Sequence, residues 1–113
     1  KVKQIQWEVK RLPKGFMLTQ QTMRYSQAST TEKEQSLTER MPDLLHLVYS
    51  DGLASVSVFI EKNQGARNHM PGVSSVGAVN AFGKAVNGHF VTVVGEVPVK
   101  TVQLMAQSTA QSP

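Results

Sequence analysis

The sequence predicts an α+β fold, about six antiparallel strands in one sheet with a C-terminal helix packed on one face. Three observations carry this expectation. Asp51-Gly52 divides two runs of β-branched and aromatic residues between Leu44 and Glu61. Asn87-Gly88 divides a second pair of such runs. After Pro98, apolar residues recur at helical rather than alternating spacing.

Taken in order, Ile5, Trp7 and Val9 alternate with Gln4, Gln6, Glu8 and Lys10, which is the mark of a half-buried strand. Trp7, in register with Ile5 and Val9, is read as a core anchor. Leu12-Pro13-Lys14-Gly15 suits a type I turn, with proline second and glycine fourth. Phe16 to Tyr25 is a second strand, placing Met17, Met23 and Tyr25 on one side and Phe16 and Leu18 on the other. Ser26 to Pro42 is polar, with only Leu37 and Met41 to pack. It is read as a loop, in which Thr31 and Glu34 could cap a short helical turn that Pro42 ends.

The Leu44–Glu61 stretch, LLHLVYSDGLASVSVFIE, is the centre of the chain. Asp-Gly favours a two-residue type I′ turn. That turn would set Tyr49 against Ala54, Leu47 against Val56 and Leu45 against Val58. One face then carries Leu45, Leu47, Tyr49, Ala54, Val56, Val58 and Ile60; the other is mixed, with Leu44, His46, Val48, Ser55, Ser57 and Phe59. Lys62 to Gly72 reads as a loop from its glycines, asparagines and proline. Val73 to Val86 is assigned to a strand despite its helical spacing, because Gly77 and Gly83 disfavour a helix. Pairing across Asn87-Gly88 sets Ala85 against Phe90, Lys84 against Val91 and Phe82 against Val93. Pro98 opens the helix; Val99, Val102, Met105, Ala106 and Thr109 form its apolar side, Leu104 falls off that side, and Gln111 to Pro113 should fray.

At 113 residues the chain is expected to form one domain spanning 1–113, and 40% apolar residues suit a globular protein. It starts at Lys1 rather than methionine, as a processed form or a piece of a longer chain would. No apolar run reaches the roughly 20 residues needed to span a bilayer. Cysteine is absent, so disulfides and thiol chemistry are excluded. The net charge of +4 is spread along the chain without a basic helix or an aromatic-interleaved basic strand, which argues against nucleic acid.

A search for chemistry is negative. There is no nucleophile elbow, no H-E-x-x-H and no phosphate-binding glycine loop. Asp43, Asp51, Glu61 and Glu96 are dispersed; His46 and His89 fall on mixed strand faces and His69 in a loop, without converging metal ligands. The expectation is a protein with no catalytic residues, no metal and no cofactor, acting through its surface. A sheet edge that pairs with an extended peptide is one such surface.

Four blocks, in this order and spacing, carry a resemblance. They are Trp7 with LPKGF (Leu12–Phe16), LVYSDGLASVSVFIE (Leu47–Glu61), AVNAFGKAVNGH (Ala78–His89) and VTVVGEVP (Val91–Pro98). Together they resemble the C-terminal domain of the RseB/MucB family of periplasmic sigma-E regulators, over roughly Gln6 to Thr109. The resemblance implies export to the periplasm. It also implies binding to the periplasmic segment of a RseA/MucA-like anti-sigma factor, which shields that factor from the protease that starts its destruction. The resemblance further implies that complete members carry a larger N-terminal domain similar to lipoprotein carriers, absent from these 113 residues, and that lipopolysaccharide or related lipid releases them. A module binding anionic lipid is therefore the alternative reading, and a homodimer is compatible with either. Gln27 to Pro42 looks longer than the corresponding loop of the family. Residues for a binding surface, chosen because turn geometry does not demand them, are Tyr49, Phe59, Glu61, Arg24 and Arg67; core packing accounts for Tyr49 and Phe59 at least as well.

Overall fold

The computed structural model describes residues 7–25, 43–62 and 71–111. The elements are β1 (Trp7–Val9), β2 (Met17–Arg24), β3 (Leu44–Ser50), β4 (Ser55–Lys62), β5 (Gly72–Val76), β6 (Val79–Val86), β7 (His89–Gly95), α1 (Val99–Gln107) and β8 (Thr109–Gln111). β2 to β7 form a six-stranded antiparallel sheet in the order β2-β3-β4-β7-β6-β5, and α1 packs on it against β6 and β7. The α+β architecture is the one the hydrophobic pattern implies.

Alternation along β3 and β4 sorts their side chains onto two faces. Leu45, Leu47, Tyr49, Val56, Val58 and Ile60 are all buried, and Val91 and Val93 of β7 join them. From above, α1 contributes Val102, Met105 and Ala106, each fully buried, and β1 contributes Val9. Trp7, Leu12, Phe16, Phe82, Val86 and Val97 pack around this cluster. Pro98 stands at the N-cap of α1, and Leu104 is exposed, as the helical spacing anticipates.

The register of the first hairpin differs from expectation by two residues. Tyr49 pairs with Val56, Leu47 with Val58 and Leu45 with Ile60, and Ser50 with Ser55, so the loop is the four residues Asp51–Ala54 rather than a two-residue turn. Side chains close this loop. The Asp51 carboxylate accepts from the Leu53 and Ala54 amides, both at 2.9 Å, and the Ser50 hydroxyl donates to the Ala54 carbonyl at 2.8 Å. Asp51 is thereby spared the positive φ that a type I′ turn would ask of it. A two-residue shift leaves every side chain on its own face, so the apolar set stays inside. The second hairpin has the expected register, Ala85 with Phe90, Lys84 with Val91 and Phe82 with Val93. Asn87 at φ 49° and Gly88 at φ 77° supply the positive φ values of a type I′ turn.

Four local expectations are corrected. The Val73–Val86 run is two strands, because Gly77-Ala78 makes a tight turn and Val76 pairs with Val79. The LPKG turn lies one residue later. There the Phe16 amide donates to the Pro13 carbonyl at 3.1 Å, and Gly15, third in the turn, has the positive φ of a type II turn. In β2 an irregularity between Leu18 and Gln20 breaks strict alternation, so Leu18 and Met23 share the helix-side face and Met17 lies on the other. Finally, α1 ends at Gln107. Thr109 is buried as its place on the apolar side suggests, yet it begins β8, which pairs with β1 in a separate two-stranded sheet. The Ser108 amide donates to Leu104 and Met105, the Thr109 hydroxyl to Met105, and the Lys10 amide to Ser108; these bonds turn the backbone out of the helix and along β1. The Ser26–Pro42 loop and its Thr31 cap, the body of the Lys62–Gly72 loop, His69 and Ile5 lie outside the described residues.

Candidate partner-binding surface

Cross-strand register arranges the face away from α1 in rows. Arg24, Leu44, Glu61 and Phe90 form one row from β2 to β7; Thr22, His46, Phe59 and Thr92 form the next; Gln20, Val48, Ser57 and Val94 the third. Three of the five expected binding residues therefore share this face. Arg24 is exposed at the end of β2; Glu61 and Phe59 are half-buried on β4. Phe59 stacks on His46 with ring centroids 4.3 Å apart and planes inclined by 16°. The His46 Nε2 is buried without a hydrogen-bond partner.

Tyr49 lies on the opposite face, inside the core cluster and 5% exposed, in keeping with the packing account of it. Burial pushes its phenol above the usual tyrosine value, and a hydrogen bond with the Val9 backbone works in the other direction. Arg67 is outside the described residues. His89, expected on a mixed face, instead falls on the side of Val91 and Val93, because Phe90 takes the other side. It meets Trp7 edge-on at 5.0 Å.

Two features escaped the sequence reading. The first is the His46–Phe59 pair, recoverable only from the correct hairpin register. The second is β2 itself. All of its residues are exposed, including Met17, Leu18 and Met23 at 64%, 46% and 48%. Its sequence, MLTQQTMR, has no proline and one charge, which is the available signal of an unguarded edge.

Charges around this surface are few. Lys62 pairs with Asp43 at 3.5 Å at the far end of β3 and β4. The Asp51 carboxyl is held below its usual value by the hydrogen bond from the Ala54 amide, then by that from Leu53. Among the described residues no group of three or more His, Asp or Glu side chains could hold a metal ion, and no helix is long and apolar enough to cross a membrane.

This arrangement of half-covered sheet, filled core and exposed apolar edge defines a class, a small α+β domain with one helix seated on a six-stranded antiparallel sheet. The family profile described as the MucB/RseB C-terminal domain matches residues 1–110, and the chain belongs to that family. It is similar to the sigma factor AlgU regulatory protein MucB of Pseudomonas aeruginosa, with 38% identity over 113 residues covering 94% of this chain and 31% of that protein. Its structure is similar to the MucB chain in a crystal structure of MucB in complex with MucA(peri), with a TM-score of 0.70, 37% identity, and coverage of 95% of this chain and 36% of that one. The complex structure of Pseudomonas aeruginosa MucA/MucB gives a TM-score of 0.70 and 37% identity over 95% of this chain and 35% of that chain. A crystal structure of MucB gives 0.58 and 33% over 91% and 32%. The chain thus spans about a third of the length of the relatives it matches.

Proposed function

We propose that this chain is the C-terminal domain of a negative regulator of envelope-stress signalling. In that role it works in the periplasm, as one domain of a longer protein, and binds the periplasmic segment of a MucA-type anti-sigma factor. Its action is steric and reversible. While the segment is held, the protease that starts destruction of the anti-sigma factor cannot reach it, and the sigma factor stays silent. No step of this mechanism makes or breaks a covalent bond in the regulator. The observation that carries the proposal is the 37% identity, at a TM-score of 0.70, to MucB in structures that hold MucA.

The lipid-binding alternative needs a cavity behind the helix. The side chains there are closed on one another instead: Val102, Met105 and Ala106 of α1 and Val56, Val58, Val91 and Val93 of the sheet are all at 0% exposure. That filling counts against lipid binding within this part of the protein.

Calorimetric titration of the chain with the periplasmic segment of its cognate anti-sigma factor tests the proposal. Saturable binding, together with slower cleavage of the segment by its protease, is the expected result. A folded chain that neither binds nor protects the segment would overturn it.

A further inference from the structure

The six-stranded sheet ends in two edges, and they differ. β5 is five residues, GVSSV, without charge. β2 is eight residues, all exposed, and among the described residues no strand lies on its outer side. An edge of this length with apolar side chains is a template for another strand, which proteins ordinarily blunt with charge, proline or brevity. β2 has only Arg24 at its end, and beyond the irregularity at Leu18/Gln20 its pairing from Gln20 to Arg24 is regular. Leu18 and Met23 stand beside the buried Tyr49 and Leu45, so they carry the apolar surface of the core outward to the edge.

Charge selects the occupant. From Lys10 to Arg24 the chain carries Lys10, Arg11, Lys14 and Arg24 and no carboxylate. The acidic residues at either end of β2 are engaged elsewhere, Asp51 by its own loop amides and Asp43 by Lys62. In an antiparallel pair of two copies centred on Gln20 and Gln21, Arg24 would face Met17 and find no opposite charge across the new seam. An acidic strand meets opposite charge instead. We infer that the outer edge of β2, centred on Gln20–Arg24, takes an extended acidic segment of a partner protein as a seventh strand. Main-chain hydrogen bonds supply the hold. Apolar side chains beside Leu18 and Met23 and a carboxylate beside Arg24 set the register. The inference rests on the regulator reading above and names the strand that holds the partner.

The test titrates the chain with the periplasmic segment of its cognate MucA-type anti-sigma factor. Met23→Lys with Arg24→Glu is compared with Val76→Lys on β5, circular dichroism confirming that each variant is folded. The double variant should bind about tenfold more weakly and the β5 variant like the parent chain. A second probe needs no variant. The segment is N-methylated at alternate backbone nitrogens, in two complementary sets; an added strand presents every second N–H to its neighbour, so one set should abolish binding and the other spare it. Parent binding that ignores both the double variant and the position of the methyl groups overturns the edge, leaving the regulator reading standing. Failure of the parent chain to bind overturns both.

Discussion

β2 and β4 are both eight-residue antiparallel strands in one sheet, and they do different work. β4 lies between β3 and β7, and its Val56, Val58 and Ile60 are at most 2% exposed. β2 pairs only with β3, and every one of its residues is exposed, although it too carries three large apolar side chains. The helix accounts for much of the difference. α1 seats over β6 and β7, β1 brings Val9 into the cluster, and the cover stops short of β2. Burial, and with it stability, is therefore set by place in the sheet rather than by strand composition. The centre folds the domain, and the edge stays exposed.

The largest effects should come from the centre. Val58→Asp, or Val102→Asp on the helix that covers it, puts an unpaired carboxylate into the closed core. A loss of about 4 kcal/mol or more, a large share of the stability of a domain this size, is expected in denaturant melts. Leu47→Ala should cost about 2–5 kcal/mol, since the side chain is 1% exposed and its neighbours cannot all collapse into the space. Gly88→Ala, at a position held at φ 77°, should cost about 1–2 kcal/mol and slow closure of the second hairpin. At the edge, Thr22→Ala and Met23→Ala should each move the midpoint by no more than about 0.5 kcal/mol. A large loss from either would break the contrast between the two strands.

A pH series sharpens the same contrast at the hairpin tip. The folded Asp51 carboxyl titrates below its ordinary value of 3.8, so its contribution to stability is present above that pH and is lost as pH falls through the folded value. Asn at this position can still accept both loop amides but has no such proton to gain. Asp51→Asn should therefore lose less stability than the parent below about pH 3.8, and identical acid profiles would contradict the role given to the carboxylate.

The faces of β3 and β4 were legible in the sequence, those of β2 and of His89 were not, and registers were legible only in part. Alternation in LLHLVYS and SVSVFIE placed Leu47, Val56 and Val58 inside, because a strand has only two faces. The same alternation cannot tell a two-residue loop from a four-residue one, since both keep the faces. Asp51 and Ser50 settled the matter by capturing loop amides and the Ala54 carbonyl, whereas Asn87 and Gly88 both take positive φ and close a two-residue turn. Gly77 argues against a helix over Val73–Val86, and the pair Gly77-Ala78 between Val76 and Val79 is also the two-residue turn of a hairpin. β8 carried almost no signal. Three residues, TAQ, follow a helix whose spacing runs on through Thr109, and only pairing with β1 makes them a strand. Of the binding residues, Arg24, Phe59 and Glu61 fell on one face because they share its parity across the paired strands. Tyr49 fell opposite for the same reason. The exposure of β2 was hidden because it depends on how far the cover of α1 and β1 reaches, which no local pattern in MLTQQTMR records.

The most direct measurement is native-state amide hydrogen exchange, residue by residue, in the free chain and with the anti-sigma segment bound. In the free chain, β4 and β7 amides should exchange only through global unfolding, while β2 amides should exchange through small local openings. Added segment should raise protection at alternate positions of Gln20–Arg24. Equal protection of β2 and β4 in the free chain, or new protection that appears elsewhere and leaves Gln20–Arg24 unchanged, would contradict the division between a folding centre and a recognising edge.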